Sequence, residues 1–194
     1  MALRNSQREA TVTSIRPVAT PEDRRSLDHL FSLTYEELRR LATRVKRGDP
    51  SNTLSPTALV NEVWVKLANS PPIAATSPLH FKRIAARAMR QVLIEAARRR
   101  NAQKRGGKGN ALFVTLDGST DGTIFREEEL LALDAALDEL NRIEPRQAAI
   151  VETRFFGGLE VGEISTLLGV SEATILRDWR AAKAWLGQAL RRTA

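Results

Sequence analysis

The sequence predicts an all-α protein of two small helical domains joined by a flexible linker. Apolar side chains recur at the helical period of about 3.6 residues through most of the chain. Two Ser-Pro pairs, Ser55-Pro56 and Ser77-Pro78, combine a capping hydroxyl with a first-turn proline, which is typical of helix starts. The one candidate strand, residues 111–115, is short. A chain of 194 residues suits one ordinary domain or two small ones.

Three helices are predicted in the first half of the chain. Residues 1–22 contain two prolines and no sustained apolar period, so we expect a flexible tail there. The first helix then ends at Gly48-Asp49-Pro50, and the Ser-Pro pairs begin the second and the third. Because three helices of this size can bury one modest core, residues 23–106 are predicted to form the first domain.

The second of these helices is apolar over an unusually wide part of its circumference. Its large apolar residues are Leu59, Val60, Val63, Trp64 and Leu67. They are too numerous for one narrow stripe. Such a helix is either buried centrally in its own domain or docks a partner on a second face.

Charge is distributed unevenly along the chain. The formal net charge is +7 and the pI is about 10.5, which favours a polyanionic partner, either nucleic acid or an anionic membrane surface. Residues 82–108 are strongly basic, whereas residues 117–144 are strongly acidic. This reversal and a glycine-rich junction predict a linker over residues 107–125 and a second domain over residues 126–194. The opposite charges of the two segments also raise the hypothesis that the acidic segment packs on the basic domain in a closed, inactive form.

The second domain is predicted to contain four helices. An acidic helix spans about residues 126–142, and another begins at Pro145 and ends at Gly157-Gly158. Residues 161–180 then have the pattern of a helix-turn-helix, with Gly169 in the turn and Ser171 as the cap of the second helix. The buried stripe of that second helix consists of Ile175, Trp179, Ala182 and Leu186. An ordinary helical hairpin is the alternative.

Two segments are candidates for nucleic-acid binding. On the last helix, Arg177 and Arg180 are predicted to face outward. Each can either donate two hydrogen bonds to one guanine or contact a phosphate without sequence preference. The third helix with its basic extension, residues 98–105, is the second candidate, unless this segment is only a solvated basic tail.

Catalysis by this chain is not expected. The sequence has no P-loop, no GxSxG motif and no cysteine nucleophile, and its two histidines stand in no metal-binding pattern, so no cofactor or metal is expected. The absence of cysteine, of a signal sequence and of a long apolar run favours a cytoplasmic protein. A conventional helix-turn-helix regulator and, less favoured, a nucleic-acid enzyme remain alternative functions.

Two DNA-facing helical domains with a largely apolar helix in the first resemble bacterial sigma factors of the extracytoplasmic function (ECF) group. Residues 25–106 resemble the second sigma domain and residues 127–191 the fourth. Residues 57–67, Thr-Ala-Leu-Val-Asn-Glu-Val-Trp-Val-Lys-Leu, stand where the family docks on the β′ clamp helices of core RNA polymerase. The usual upstream acids are replaced here by Ser55-Pro56-Thr57, and the usual glutamine by Asn61.

The resemblance implies a role for each segment in promoter-specific initiation of transcription. The residues implied in binding core polymerase are Leu59, Val60, Asn61, Glu62, Trp64 and Leu67. Those implied at the −10 element, where residues 69–77 would hold a flipped base, are Lys82, Arg87, Arg90, Gln91 and Arg98. Those implied at the −35 element are Ser171, Glu172, Thr174, Arg177, Arg180 and Lys183. The resemblance also implies the β flap of the polymerase as a partner, and anti-sigma factors are common in the group.

Overall fold

The computed structural model describes residues 20–45, 55–70, 77–104, 114–116, 123–125 and 127–193. Seven helices lie in these ranges, and the all-α prediction is confirmed. They are α1 (Pro21–Val45), α2 (Pro56–Ala68), α3 (Pro78–Lys104), α4 (Glu127–Ile143), α5 (Pro145–Gly157), α6 (Val161–Leu168) and α7 (Glu172–Thr193). The tail predicted for residues 1–22 lies outside the described residues as far as position 19, and its last two positions belong to α1 instead.

Side-chain hydroxyls cap the N-termini of the first three helices. The Oγ atoms of Ser55 and Ser77 each accept a backbone N–H bond, from Ala58 and His80, at 3.1 Å. Both predicted caps are therefore confirmed. Helix α1 has a cap that was not predicted: Thr20 Oγ1 accepts from the Asp23 backbone N–H at 3.1 Å, while the Asp23 carboxylate accepts from the Thr20 N–H at 2.8 Å. This reciprocal pair explains why α1 starts at Pro21.

Helix α2 packs between α1 and α3, and most of its apolar surface lies inside this three-helix group. Leu59, Val60 and Val63 are fully buried, and Leu67 is nearly so. Trp64 is half-buried and lies edge-on to Phe31, with the ring centroids 6.4 Å apart. The wide apolar circumference of α2 is thus explained mainly by its central position in its own bundle.

Helices α4, α5 and α7 pack against one another, and α6 lies against α5 and α7. The chain reverses after α5 at Gly158 and after α6 at Gly169, which have φ angles of 64° and 66°. This left-handed backbone favours glycine because in any other residue the Cβ atom lies too close to the following carbonyl oxygen of its own backbone. Both predicted helix ends are confirmed.

A two-stranded antiparallel hairpin lies in the segment predicted as linker. Strand β1 (Val114–Leu116) pairs with β2 (Thr123–Phe125), with Val114 opposite Phe125, and β1 contacts α1. Strand β1 overlaps the candidate strand at residues 111–115, whereas β2 was not predicted because three residues carry too little periodicity. The rest of the predicted linker lies outside the described residues, and the domain boundaries themselves stay a prediction.

The first group of helices, α1–α3, and the second group, α4–α7, share one continuous hydrophobic core. The most extensive contact between any two helices joins α3 of the first group to α5 of the second. A Cβ atom added at Gly157 would lie 2.9 Å from the Ala86 Cβ atom and 3.7 Å from the carbonyl oxygen of Lys82. The end of α5 therefore approaches α3 too closely for a larger side chain. We call this contact of α3 with α4 and α5 the seam.

Lys82 links three helices beside the seam. Its ammonium group pairs with Glu37 of α1 and, at 2.8 Å, with Glu163 of α6. Partial burial opposes a charge on Lys82, but the bonds to Glu163 and Glu37 outweigh it and raise the pKa of this amine. Burial likewise opposes a charge on Glu163, but Lys82 and the Glu160 backbone N–H hold the pKa of its carboxyl below the ordinary value.

These two pKa shifts predict how the ion pair contributes to stability as pH changes. Because the folded pKa of Glu163 is lowered, its contribution is present above the ordinary value of 4.5 and is lost as pH falls through the folded pKa. Because the folded pKa of Lys82 is raised, its contribution is present below 10.5 and is lost as pH rises through the folded pKa.

We therefore expect Glu163→Gln to reduce the free energy of unfolding at pH 7 and to weaken its fall between pH 7 and pH 3. Glutamine can still accept the Glu160 N–H bond, so the start of α6 is kept. Urea unfolding at several pH values measures the effect. Glu128→Gln is the control, because Glu128 is exposed and has no ion pair in the part of the chain described. A Glu163→Gln protein with the wild-type pH slope would contradict the prediction.

Candidate nucleic-acid interface

Helices α6 and α7 form a compact pair joined by a three-residue turn. Gly169 makes the turn in the left-handed conformation, and a Cβ atom there would meet no atom within 4 Å apart from those of its two chain neighbours. Conformation rather than space therefore selects glycine. Ser171 Oγ accepts from the Thr174 backbone N–H at 3.3 Å, as predicted for the cap of α7. The Ser165 hydroxyl also donates to the Val170 carbonyl at 2.5 Å, which fixes the turn.

Helix α7 divides cleanly into a buried and an exposed side. Ile175, Ala182 and Leu186 are buried, and Trp179 is half-buried. Five of the six predicted −35 residues are exposed, and they are Ser171, Glu172, Arg177, Arg180 and Lys183. The sixth, Thr174, is half-buried, and its hydroxyl lies 3.0 Å from that of Ser171. One outward face of α7 thus carries hydroxyl, carboxylate and cationic groups together.

An ion pair within this unit was not foreseen. Asp178 is only 5% exposed, and its carboxylate accepts from Arg146 Nε at 2.7 Å. That hydrogen bond and the charge of Asp178 raise the pKa of Arg146. Asp178 therefore fixes α7 to the start of α5 instead of pointing outward from α7. Its spacing of three residues after Ile175 and four before Ala182 places it on the buried stripe, and this was the available signal.

Trp179 is contacted by two cations. The Arg154 guanidinium carbon lies 4.7 Å from the indole centroid and the Lys183 ammonium nitrogen 5.7 Å from it. Neither side chain has a carboxylate partner within the described ranges. The electron-rich ring face attracts both cations and so positions Lys183 along α7. Arg154 was not predicted as part of this unit, because it lies 25 positions before Trp179 in the sequence.

The five residues predicted for the −10 element differ in their surroundings on α3. Arg87 and Gln91 are exposed, and neither has an ion-pair partner among the residues described. Arg98 is exposed but lies 3.3 Å from an oxygen of Asp134. Lys82 and Arg90 are mostly enclosed by carboxylates of the second group of helices. Lys82 is also paired with Glu37 of α1. The structure therefore leaves two of the five fully available at the surface.

Arg90 is the most enclosed of these residues, with 13% of its side chain exposed. Its guanidinium contacts Asp134 and Asp138 of α4 at 2.7 Å each and Glu152 of α5 at 3.3 Å. It also donates to the Asp134 carbonyl oxygen at 2.9 Å. Burial would lower the pKa of Arg90, but the bonds to Asp138 and Asp134 outweigh this and raise it. The predicted attraction between the acidic and the basic segments is thus an ionic contact in the seam.

The residues predicted to bind core polymerase are also divided between the interior and the surface. Asn61 and Glu62 are exposed, Trp64 is half-buried, and the other three are buried in the bundle, namely Leu59, Val60 and Leu67. Val65, which was not predicted, is 47% exposed on the same helix. Lys66 pairs with Glu95 of α3 at 2.6 Å and joins α2 to α3 at this surface. The outer surface of α2 is therefore formed by Asn61, Glu62 and Val65, and we call it the α2 ridge.

Other kinds of site find little support in the described ranges. No group of three or more histidine, cysteine, aspartate or glutamate side chains there has the arrangement of a metal site. None of the helices described is both long and apolar enough to span a membrane. Of the predicted base-holding segment, residues 69–77, positions 71–76 lie outside the described residues.

Comparison with known proteins identifies the family. A search of curated proteins finds no match to the chain. The sequence profile of the family described as ECF sigma factor, in contrast, matches residues 10–192. The match spans both groups of helices, the hairpin and the seam. The chain belongs to the ECF sigma factor family, whose members act in promoter-directed transcription.

Proposed function

We propose that this sigma factor binds core RNA polymerase through the α2 ridge and recognises promoter DNA with α3 at the −10 element and α7 at the −35 element. The observation that best supports the proposal is the outward face of α7. Helix α7 has an exposed hydroxyl at its cap, Ser171, and two exposed arginines in its central turns. Such a helix, next to a glycine turn and a supporting helix, suits the major groove.

On α7, recognition would depend on side chains of different chemistry. Arg177 and Arg180 are three residues apart and both exposed, so they lie on neighbouring turns of one face. A guanidinium can donate two parallel hydrogen bonds to the O6 and N7 atoms of guanine. Glu172 in the first turn can accept from a cytosine amine, and Lys183 suits a phosphate.

On α3, the exposed Arg87 and Gln91 are four residues apart and so share one face. A cation and an amide on one face can contact a phosphate and a base edge of the same strand. Arg98, seven residues after Gln91, lies on the same face. Lys82 and Arg90 lie toward the seam and would reach DNA only without their acidic partners. Together these residues give the electrostatic attraction that a strand of DNA requires.

On α2, the ridge offers an amide, a carboxylate and an exposed valine in adjacent positions. An exposed apolar side chain flanked by polar groups is the usual composition of a protein contact surface. The Lys66–Glu95 pair and the buried neighbours Val63 and Leu67 hold the ridge on a rigid helix.

Transcription in vitro with purified core polymerase tests the proposal. Core enzyme with the chain is expected to start transcripts at defined positions on genomic DNA fragments, whereas core enzyme alone is not. A conventional regulator would bind duplex DNA without associating with core polymerase. Gel filtration of the chain with core enzyme distinguishes these two functions, and failure to co-elute would favour the regulator.

We expect Val65→Asp to weaken binding to core polymerase by at least about tenfold, because a carboxylate would be placed in the apolar part of the contact. Biolayer interferometry with immobilised core enzyme measures the affinity. Leu33→Asp is the matched control, since Leu33 is also an exposed apolar residue, at 57%, but lies on α1. Equal losses in the two variants would argue against the ridge as the contact.

We expect Arg177→Ala to weaken binding to the preferred −35 duplex by about 10- to 100-fold and to relax the preference at one base pair, as the loss of a bidentate contact does. The preferred duplex is first obtained by selection from a randomised library with the wild-type chain. Arg191→Ala, in the last turn of α7, is the control. A loss that is uniform over all sequences would assign Arg177 to a phosphate instead.

A further inference from the structure

Leu176 is a large apolar residue on α7 whose side chain is exposed to solvent. It is 41% exposed, and it belongs to neither of the two hydrophobic clusters formed by the described residues. The buried stripe of α7 passes instead through Ile175, Asp178 and Ala182. Packing of α7 on its neighbours therefore does not explain a leucine at position 176, and its side chain is available to a partner.

Leu176 lies among three other exposed residues on two successive turns of α7. Ala173 precedes it by three positions and Arg180 follows it by four, while Arg177 lies four positions after Ala173. Residues at these spacings are neighbours on the surface of a helix. We call these four residues, two apolar and two cationic, the α7 patch.

A hydrogen bond holds the Arg180 side chain next to Leu176. Arg180 Nε donates to the Leu176 carbonyl oxygen at 3.2 Å. The remaining donors of this guanidinium, on Nη1 and Nη2, have no partner in the part of the chain that the structure describes. Two parallel donors of this kind suit the O6 and N7 atoms of guanine. A guanine bound there would lie close to the Leu176 side chain.

Two acidic residues lie near the α7 patch in the sequence, but neither pairs with Arg180. Asp178 is buried against Arg146 of α5, and its other oxygen lies 3.6 Å from Arg177 Nε. Glu172 Oε1 would lie only 3.2 Å from a Cβ atom added at Gly162, so this carboxylate lies beside the start of α6. The patch thus combines positive charge with apolar surface, and a matching partner combines negative charge with an apolar group.

The major groove of DNA offers this combination at thymine. Phosphates line the groove, and thymine alone among the four bases presents a methyl group there, at C5. Contact with an aliphatic side chain removes this methyl group from water, which is favourable. An aliphatic side chain next to an arginine therefore suits a thymine next to a guanine.

We propose that Leu176, with Ala173 beside it, recognises the C5-methyl group of a thymine that lies next to a guanine bound by Arg180. One Leu–Arg pair on successive turns of α7 would thus specify two adjacent base pairs of the −35 element. The proposal rests on the proposed function, because it requires α7 to lie in the major groove. Leu176 is then a specificity-determining residue, and removing either the leucine side chain or the methyl group makes the other ineffective.

The DNA allows a test on a single methyl group. Deoxyuridine lacks the C5-methyl group of thymidine and pairs with adenine in the same way. It replaces the thymine beside the guanine in the −35 duplex that the wild-type chain selects from a randomised library. We expect the wild-type chain to bind this duplex about three- to fivefold more weakly, as the burial of one methyl group implies. Fluorescence anisotropy at constant salt measures the affinity, and deoxyuridine outside the −35 element is the control.

Leu176→Ala is the matching change in the protein. We expect it to weaken binding to the thymine duplex by about three- to tenfold and to bind the thymine and deoxyuridine duplexes equally. The variant should fold, because position 176 is exposed and alanine favours a helix. Leu176→Met keeps an aliphatic side chain and should keep the preference for thymine. Ile143→Ala is the control, since it removes another exposed apolar side chain, at 54%, from the end of α4.

Three results would overturn the proposal. The first is a selected duplex that has no thymine beside a guanine. The second is equal binding of the wild-type chain to the thymine and deoxyuridine duplexes. The third is a Leu176→Ala variant that still prefers thymine, since another group would then contact the methyl.

Transcription with core polymerase separates this proposal from the proposed function. If the wild-type chain selects no preferred duplex and directs no specific transcription, the proposed function fails, and the proposal for Leu176 fails with it. If the chain selects a duplex and directs specific transcription while its affinity does not depend on the methyl group, only the role of Leu176 fails.

Discussion

Helix α3 must present apolar surface to two groups of helices at once, and the rest of the structure depends on this constraint. Phe81, Met89 and Leu93 are fully buried, and so are the small residues Ala85, Ala86 and Ala97. A helix buried on two sides has little surface left for charge. Its many cations are therefore restricted to narrow strips, where they either remain exposed, as Arg87 does, or meet acids of a neighbouring helix, as Arg90 does. The small alanines also allow the close approach of α5 at Gly157.

Local signals in the sequence were sufficient for much of the fold. The caps at Ser55 and Ser77, the left-handed glycines after α5 and α6, and the buried stripe of α7 all depend on residues within a few positions of one another. The partners of Arg90 and Asp178 are 32 to 62 residues away, so no period or motif could identify them. For the candidate site, the outward face of α7 followed from the helical period. The division of the α2 and α3 residues between surface and interior did not, because it depends on which helices pack over them.

The positive charge of this chain favours binding to a polyanion and also affects how its helices pack. A net charge of +7 suits binding to a polyanion, yet it would also drive the basic segments apart. The acidic helix α4 relieves this repulsion locally, since Asp134 contacts both Arg90 and Arg98. Exposed pairs of this kind contribute little to stability, whereas the enclosed Arg90 cluster would be costly to leave without partners. The cohesion between the two groups of helices therefore depends on cations that the proposed function assigns to DNA binding.

Helix α5 contacts both α3 and α7, the helices that the proposed function assigns to DNA binding, at different points along its length. Near its start Arg146 pairs with Asp178 of α7, and at its end Gly157 lies against Ala86 of α3. These points are eleven residues apart, or about 16 Å at 1.5 Å per residue. Since an α-helix of this length is stiff, a rotation of α7 would displace the far end of α5. If α3 and α7 bind two promoter elements as proposed, α5 would couple the positions of the two helices through one rigid element of thirteen residues.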